Sequence, residues 1–415
     1  MPRFATRLSW RRSPRWLALI VTTLALGCGD SDAPADDDGD DTSSSTGTPP
    51  GPACTSDAEC AGTETPICDT AGGHCILPQG WQIGMRDGSP GSVSFVSIWE
   101  PDAQRQPTDL QFNPSKTTEL WVVNYQDDSA LIFENPGAPE MTFERRRDPA
   151  ASHFMKQPPA LSFGVVLPEW NQSFAVCGDD DVGGSSATDF IGPALFSADL
   201  SIFAEQTPDG LGSHLDMLHS TSFCRGIEHM ADNIYFAFNA QKSAIDRYDF
   251  KVDHGPGNDD HSDGEILRYV EGAVKGVDGV PSHLAYDASD GQLYIADTGN
   301  ARIAKLDTNS GTMGASFDGL EFIGLRNYMD GATIVDVVPA GTVQQPAGIE
   351  LHDDLIFVSD IATSRFYAFD KTGKLVRTLD TGFPPGSLVG FTFGPDGKIW
   401  FVDHLSSRIF RIDPL

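Results

Sequence analysis

The chain has 415 residues with 42 Gly, 28 Pro and 10% aromatic side chains, a length that buries a large core and a composition that suits a turn-rich all-β protein rather than a helical bundle. Its 59 acidic against 28 basic residues give a formal net charge of −31. That balance excludes a nucleic-acid or anionic-membrane surface, since phosphates would be repelled rather than neutralised.

The N-terminus reads as an address. Arg3, Arg7, Arg11, Arg12 and Arg15 precede an apolar run from Trp16 to Leu26, which is short for a membrane span and makes residues 1–27 a signal peptide. The run ends in Leu24-Ala25-Leu26-Gly27-Cys28, which resembles the lipobox of bacterial lipoproteins. The resemblance implies that Cys28 becomes a lipidated N-terminus, so that the chain is exported and held at the bacterial outer membrane or cell envelope through lipid alone. Gly29 in the next position leans toward the outer membrane.

Residues 28–53 hold Asp30, Asp32, Asp36, Asp37, Asp38, Asp40 and Asp41 among Ser, Thr, Gly and Pro without one base, and read as a self-repelling disordered tether. Residues 54–80 carry Cys54, Cys60, Cys68 and Cys75. In an exported chain these read as two disulfides closing a small coreless segment, with the connectivity open. A zinc knuckle competes, but no Cys-x-x-Cys pair is present. Cys177 and Cys224 remain for a third bridge, provided that neighbouring segments bring them together.

Residues 92–415 repeat one phrase. The best copy runs Pro281-Ser-His-Leu-Ala-Tyr-Asp, Gly291-Gln-Leu-Tyr-Ile-Ala-Asp297, Gly299-Asn-Ala-Arg-Ile-Ala-Lys-Leu-Asp307. Short alternating apolar runs between Asp, Gly and Asn turns describe an antiparallel meander. Further copies open at Pro346 and Val389, and looser ones at Pro107, Pro159 and Arg225, making six units. One such unit has two unpaired edges and faces it cannot bury, so the units must stack, and radial stacking into a propeller hides the edges. Thr312 to Phe317 reads as a fourth, outer strand of its blade. The last copy stops after its third strand, and Val93-Ser-Phe-Val-Ser-Ile-Trp99 is the expected latch that completes it.

Leu-Tyr-Ile-Ala-Asp297-Thr-Gly-Asn-Ala-Arg302-Ile resembles the NHL-repeat signature, in which a strand ends in Asp, a Gly-Asn turn follows and an Arg-Ile strand returns. Val402-Asp-His-Leu-Ser-Ser-Arg408-Ile matches it well, and Val358-Ser-Asp-Ile-Ala-Thr-Ser-Arg365-Phe fairly. The resemblance implies a six-bladed NHL-type β-propeller, with the Asp and Arg stabilising turns rather than doing chemistry.

Two stretches depart from the repeat. Ser213 to His229 holds His214, Asp216, Met217, His219, Glu228 and His229, and Asp253 to Gly264 holds His254, Asp259, Asp260, His261 and Asp263; His283 opens the following inner strand. Imidazoles converging on one channel mouth would bind zinc or copper, with Met217 adding copper affinity and Asp216 or Glu228 as base. Asp259, Asp260 and Asp263 suggest calcium, although no Glu stands at the twelfth position of an EF-hand loop begun at Asp259. The peptidyl-hydroxyglycine lyase propellers resemble the blade phrasing, but His283 is displaced by one position, to the other strand face. No Gly-x-Ser-x-Gly elbow, Gly-Lys-Ser/Thr phosphate loop or His-Glu-x-x-His is present. The sequence therefore supports a monomeric envelope propeller that recognises a protein, peptide or glycan through its channel-mouth loops. Its alternative is a metal-dependent lyase or hydrolase with a His-rich site at the third blade.

Overall fold

The computed structural model describes residues 51–415, apart from Glu64, Asp102, Gln104, Ser186 and Asp209. The expected signal peptide, Cys28 and most of the acidic tether lie outside the described residues. Among the described residues no helix is long and apolar enough to cross a membrane.

The cysteine-rich segment forms a helical turn, Asp57–Cys60, and a hairpin of Ile67–Asp69 with His74–Ile76. Two disulfides, Cys54–Cys68 and Cys60–Cys75, stand in place of a core. The short turn Trp81–Ile83 then inserts Ile83 into the apolar layer of the last two blades.

Six blades follow, each an antiparallel meander of four strands. Blade 1 comprises Pro107–Asn113, Lys116–Asn124, Ser129–Glu134 and Thr142–Arg146, and blade 2 comprises Leu161–Leu167, Asn171–Val176, Ala194–Ser197 and the two-residue outer strand Asp216–Met217. Blade 3 is built from Cys224–Ala231, Ile234–Asn239, Ala244–Asp249 and Glu265–Tyr269; blade 4 from Leu284–Asp287, Gln292–Asp297, Arg302–Asp307 and Ile334–Val338. Blade 5 contains Pro346–His352, Leu355–Asp360, Arg365–Asp370 and Leu375–Asp380. Blade 6 contains Leu388–Phe393, Ile399–Asp403 and Arg408–Pro414, and Val93–Trp99 pairs antiparallel with the last of these. The latch therefore closes the ring as its alternating pattern predicts.

Each blade is two-sided, and each junction between blades is a separate apolar layer. Trp121, Phe174 and Phe196 fill the junction of blades 1 and 2, and Cys224, Tyr235 and Tyr248 that of blades 2 and 3. The remaining junctions follow in order, and Ile98, Trp99, Leu120 and Trp400 close the layer between blades 6 and 1. Burial of roughly 25 cal/mol per Å² of apolar surface at every junction is what holds a ring of sheets that cannot stand alone.

Glycines set how tightly the inner strands approach. A Cβ on Gly226 would lie 2.2 Å from the Ser282 carbonyl oxygen, and one on Gly390 would lie 2.4 Å from that of Thr108. These glycines recur because neighbouring inner strands touch backbone to backbone around the axis.

One expectation is corrected. Thr312–Ser316 is not the outer strand of blade 4, which is Ile334–Val338. It pairs instead with Leu325–Asp330, and that strand runs parallel to Glu265–Tyr269, the outer strand of blade 3. Residues 308–333 thus leave blade 4, strap across to blade 3 and cover an edge that would otherwise present unpaired amides.

Candidate functional site

The inner strands place three carboxylates toward the axis. Asp109 comes from blade 1, Glu228 from blade 3 and Glu350 from blade 5, and Ser162 and Thr392 fill the strands between. Glu228 and Glu350 occupy the same place in the phrase Gly-Ile-Glu, Gly226 to Glu228 and Gly348 to Glu350. An open cavity of about 310 Å³ is lined by Gln111, Phe112, Ser162, Phe163, Glu228, His229, Glu350, Thr392 and Phe393, with Pro114 at its edge.

The hydrogen bonding of these acids is sparse. Asp109 accepts from the Leu161 amide at 3.0 Å, and His283 Nδ1 stands 3.7 Å from its other oxygen. Glu228 accepts from the Ser162 hydroxyl at 3.3 Å and the Tyr286 amide at 3.2 Å. Glu350 takes no hydrogen bond, and no lysine or arginine pairs with any of the three, among the described residues. Burial lifts Asp109 to about 6, against the pull of His283. It lifts Glu228 to about 7, with the charge of Asp109 adding to it. Glu350 is raised well above the ordinary carboxylate range by burial and then by Glu228 and Asp109. Three acids in mutual repulsion therefore all hold their protons more tightly than ordinary carboxylates.

The histidines divide between two places. His229 and His283 belong to the channel. The Nε2 of His229 bonds the Asp232 carbonyl at 2.9 Å, and that of His283 bonds the Pro159 carbonyl at 3.0 Å. They do not join His214, His219, His254 and His261, which gather away from the channel mouth, at the outer rim between blades 2 and 3. The reason is topological. His214 and His219 flank the outer strand of blade 2, whereas His254 and His261 lie on the connection between the third and outer strands of blade 3. Glu321, carried on the strap, reaches the same place. Nothing local in the sequence marks Glu321, because it acts on residues 60 and 102 positions away.

At this rim burial lowers His214 to about 2 and His153 to about 4, and neighbouring imidazoles add to both effects. Burial opposes ionisation of Glu321, yet hydrogen bonds from His219 and His261 outweigh it and hold the carboxylate at about 2.

Other expected participants point elsewhere. Met217 is fully buried in the layer between blades 1 and 2, among Trp121, Phe174 and Phe203. Asp216 is also buried, is raised well above the carboxylate range, and does not meet Glu228. Asp260 turns back on Ser262, and Asp263 accepts from the Val252 amide at 3.3 Å. Together with Asp259 they form no oxygen cage among the described residues. Cys177 and Cys224 are joined by a disulfide with Cα atoms 5.9 Å apart, at the junction of blades 2 and 3.

The Asp of the repeated signature stabilises its turn. Asp297 accepts from the Lys275 amide at 2.8 Å, from Asn300 at 2.9 Å and from Arg302 Nε at 2.7 Å. Arg365 pairs with Asp380 and Arg408 with Glu100 instead, so of these three copies, among the described residues, the one in blade 4 alone joins its Arg to the Asp of the turn.

The NHL-repeat family profile matches residues 279–306. Among solved structures, virginiamycin B lyase from Staphylococcus aureus is 12% identical, covers 78% of this chain and 100% of its own, with a TM-score of 0.47. An auxiliary nutrient binding protein from Bacteroides thetaiotaomicron is 12% identical, with 79% and 74% covered and a TM-score of 0.48. A luciferin-regenerating enzyme is 10% identical, with 78% and 96% covered and a TM-score of 0.48. A search of curated protein sequences finds no match. The chain is a six-bladed β-propeller that carries an NHL repeat.

Proposed function

We propose that this chain is an exported propeller, tethered to the envelope through a lipid on Cys28, that captures a cationic ligand in its acid-lined channel. The ligand class is a peptide or small molecule bearing an ammonium or guanidinium group. One observation carries the reading: Glu228 and Glu350 line one cavity, Asp109 stands near enough for its charge to act on both, and no lysine or arginine of the described residues pairs with any of the three. A cation placed there relieves both the repulsion and the desolvation of the carboxylates. Phe112, Phe163 and Phe393 supply the apolar wall that such a ligand needs, and their ring faces favour positive charge.

The test is calorimetric titration of the purified chain with tripeptides centred on Arg, Lys, Ser or Glu. The Arg and Lys peptides bind, and Glu228→Gln with Glu350→Gln weakens them at least tenfold at pH 8. Lowering the pH to about 5.5 weakens wild-type binding as well, because the raised carboxylates take up protons. Equal affinity for the Arg and Ser peptides would sink the proposal. A second reading rests on Glu228 alone: a carboxyl that titrates near neutrality suits general acid–base catalysis on the bound ligand. It requires a turnover that Glu228→Gln abolishes while leaving ligand bound.

A further inference from the structure

The rim cluster is separate from the channel and calls for different chemistry. A ring nitrogen from each of His214, His254 and His261 lies within 4.8 Å of the other two. The rings stand edge to face or stacked, with centroids 5.0 Å apart for His214 and His254 and 5.3 Å for His254 and His261. A second group, sharing His261, brings His219 and Glu321 within the same 4.8 Å.

Counting donors and acceptors decides what the rings can do. The Nδ1 of His214 faces the Leu211 carbonyl at 2.9 Å, and that of His254 faces the Gly255 carbonyl at 2.7 Å. A carbonyl only accepts, so each Nδ1 carries the proton and each Nε2 keeps its lone pair. The Nδ1 of His261 faces Glu321 Oε2 at 3.3 Å, and the Nδ1 of His219 bonds the same oxygen. Glu321 also accepts from the His219 amide at 2.7 Å. All four rings are thus fixed through Nδ1. The Nε2 atoms of His219, His254 and His261 are buried without a hydrogen-bond partner among the described residues. His219 itself is only 7% exposed.

A buried acceptor left unpaired costs about 1–3 kcal/mol, and here several lone pairs are left so in one place. Rings held through Nδ1 by carbonyls or a carboxylate, with Nε2 free, are the outer-shell arrangement that prepares imidazole to bind metal. A set of neutral nitrogens without a thiolate favours zinc, copper, nickel or cobalt, and disfavours calcium or magnesium, which require oxygen ligands.

We propose that His214, His254 and His261 bind one divalent transition-metal ion through their free ring nitrogens, with Glu321 as the positioning carboxylate behind His261 and His219. The site joins three separate parts of the ring: the outer edge of blade 2, the insertion of blade 3 and the strap from blade 4. It stands independently of the channel reading.

The test uses metal-depleted full-length protein, titrated with zinc and with copper(II) and followed by calorimetry and elemental analysis. One ion binds per chain, and the copper(II) form shows spin-resonance splitting from imidazole nitrogens. His254→Ala with His261→Ala lowers affinity at least 100-fold, whereas His352→Ala leaves it unchanged. Glu321→Gln keeps the stoichiometry but weakens binding roughly 10- to 100-fold, the range seen for outer-shell partners of metal-bound histidine. Circular dichroism confirms that each variant is folded, and His261→Ala alone replaces the double variant if that one is not. The proposal is overturned by substoichiometric zinc and copper binding in the wild type, by binding that survives the histidine replacements, or by full affinity in Glu321→Gln.

Discussion

Replacing Glu228 by Gln removes a charge that the channel holds at a cost. Its carboxyl is raised from 4.5 to about 7 by burial and by Asp109, so above pH 7 the folded chain carries an ionised group less comfortable than in the unfolded chain. At 1.36 kcal/mol per pKa unit, that difference is worth at most about 3 kcal/mol. The amide keeps one acceptor for the two donors, Ser162 and the Tyr286 amide, and losing one of those bonds subtracts about 1 kcal/mol. The sign follows from linkage. Between pH 4.5 and 7 the folded state binds the proton that the unfolded state has released, so this group's contribution to stability falls as pH rises. Glu228→Gln is therefore more stable than wild type at pH 8 by about 1–2 kcal/mol, an increase on the order of 2–3 °C in melting temperature for a domain of this size. At pH 4.5 the advantage vanishes, because wild-type Glu228 is protonated as well. Thermal or denaturant unfolding of both proteins at the two pH values reads the difference directly. A variant that loses stability at pH 8, or shows the same shift at both pH values, refutes the description of the channel as a cluster of uncompensated acids.

Three further outcomes follow from the fold. Cys177→Ser with Cys224→Ser costs about 4 kcal/mol on the chain-entropy account of a bridge spanning 47 residues, measurable by denaturant titration, while the oxidised wild-type protein denatured without lipid shows no free thiol beyond that of Cys28. Arg302→Ala costs about 1–3 kcal/mol because it leaves Asp297, fully buried, without its cation. Arg365→Ala costs under about 1 kcal/mol, since the pair it forms with Asp380 is about half exposed, and equal losses in the two variants would count against the distinction. Cys28→Ser, by mass spectrometry and fractionation, yields a chain without lipid that leaves the membrane; a variant still bound would remove the tether from the proposed function.

The blades were legible because a strand that buries both faces between Asp and Gly turns announces itself within a few residues, as Gln292–Asp297 and Ile399–Asp403 do. The latch was legible for another reason: Val93–Trp99 alternates just before the first copy, and the last copy lacks an outer strand of its own. Glu228 stood in view, and Glu350 shares with it the phrase Gly-Ile-Glu, a local signal of their common position. The strap was not legible. Thr312–Ser316 is short, exposed and weakly patterned, and its sheet is completed by a parallel ladder to residues about 60 positions back, a partnership with no local signal. Glu321 was hidden with it. The histidine-dense stretches identified four of the rim residues, but strand periodicity alone placed them at the channel mouth. A two-residue outer strand at Asp216–Met217 was too brief to show that the chain was on the opposite side of its blade.

The latch also fixes how the ring bears load. Val93 pairs with Pro414, and the Leu415 amide bonds the Ser92 carbonyl at 3.0 Å, so the two ends of the propeller lie side by side on one outer strand pair. Tension applied through the preceding residues would meet that pair at its end and peel it one rung at a time, the weaker direction for a β-ladder. Residues 79–92 interrupt this path. Gln79 and Gln82 are bonded to Arg377 and Asp353 of blade 5, and Ile83 is wedged between blades 5 and 6. A pull from the N-terminal side is thus carried first into the packed body of blade 5, as a cleat takes the strain from a knot, and reaches the closing strand only after that anchorage has given way.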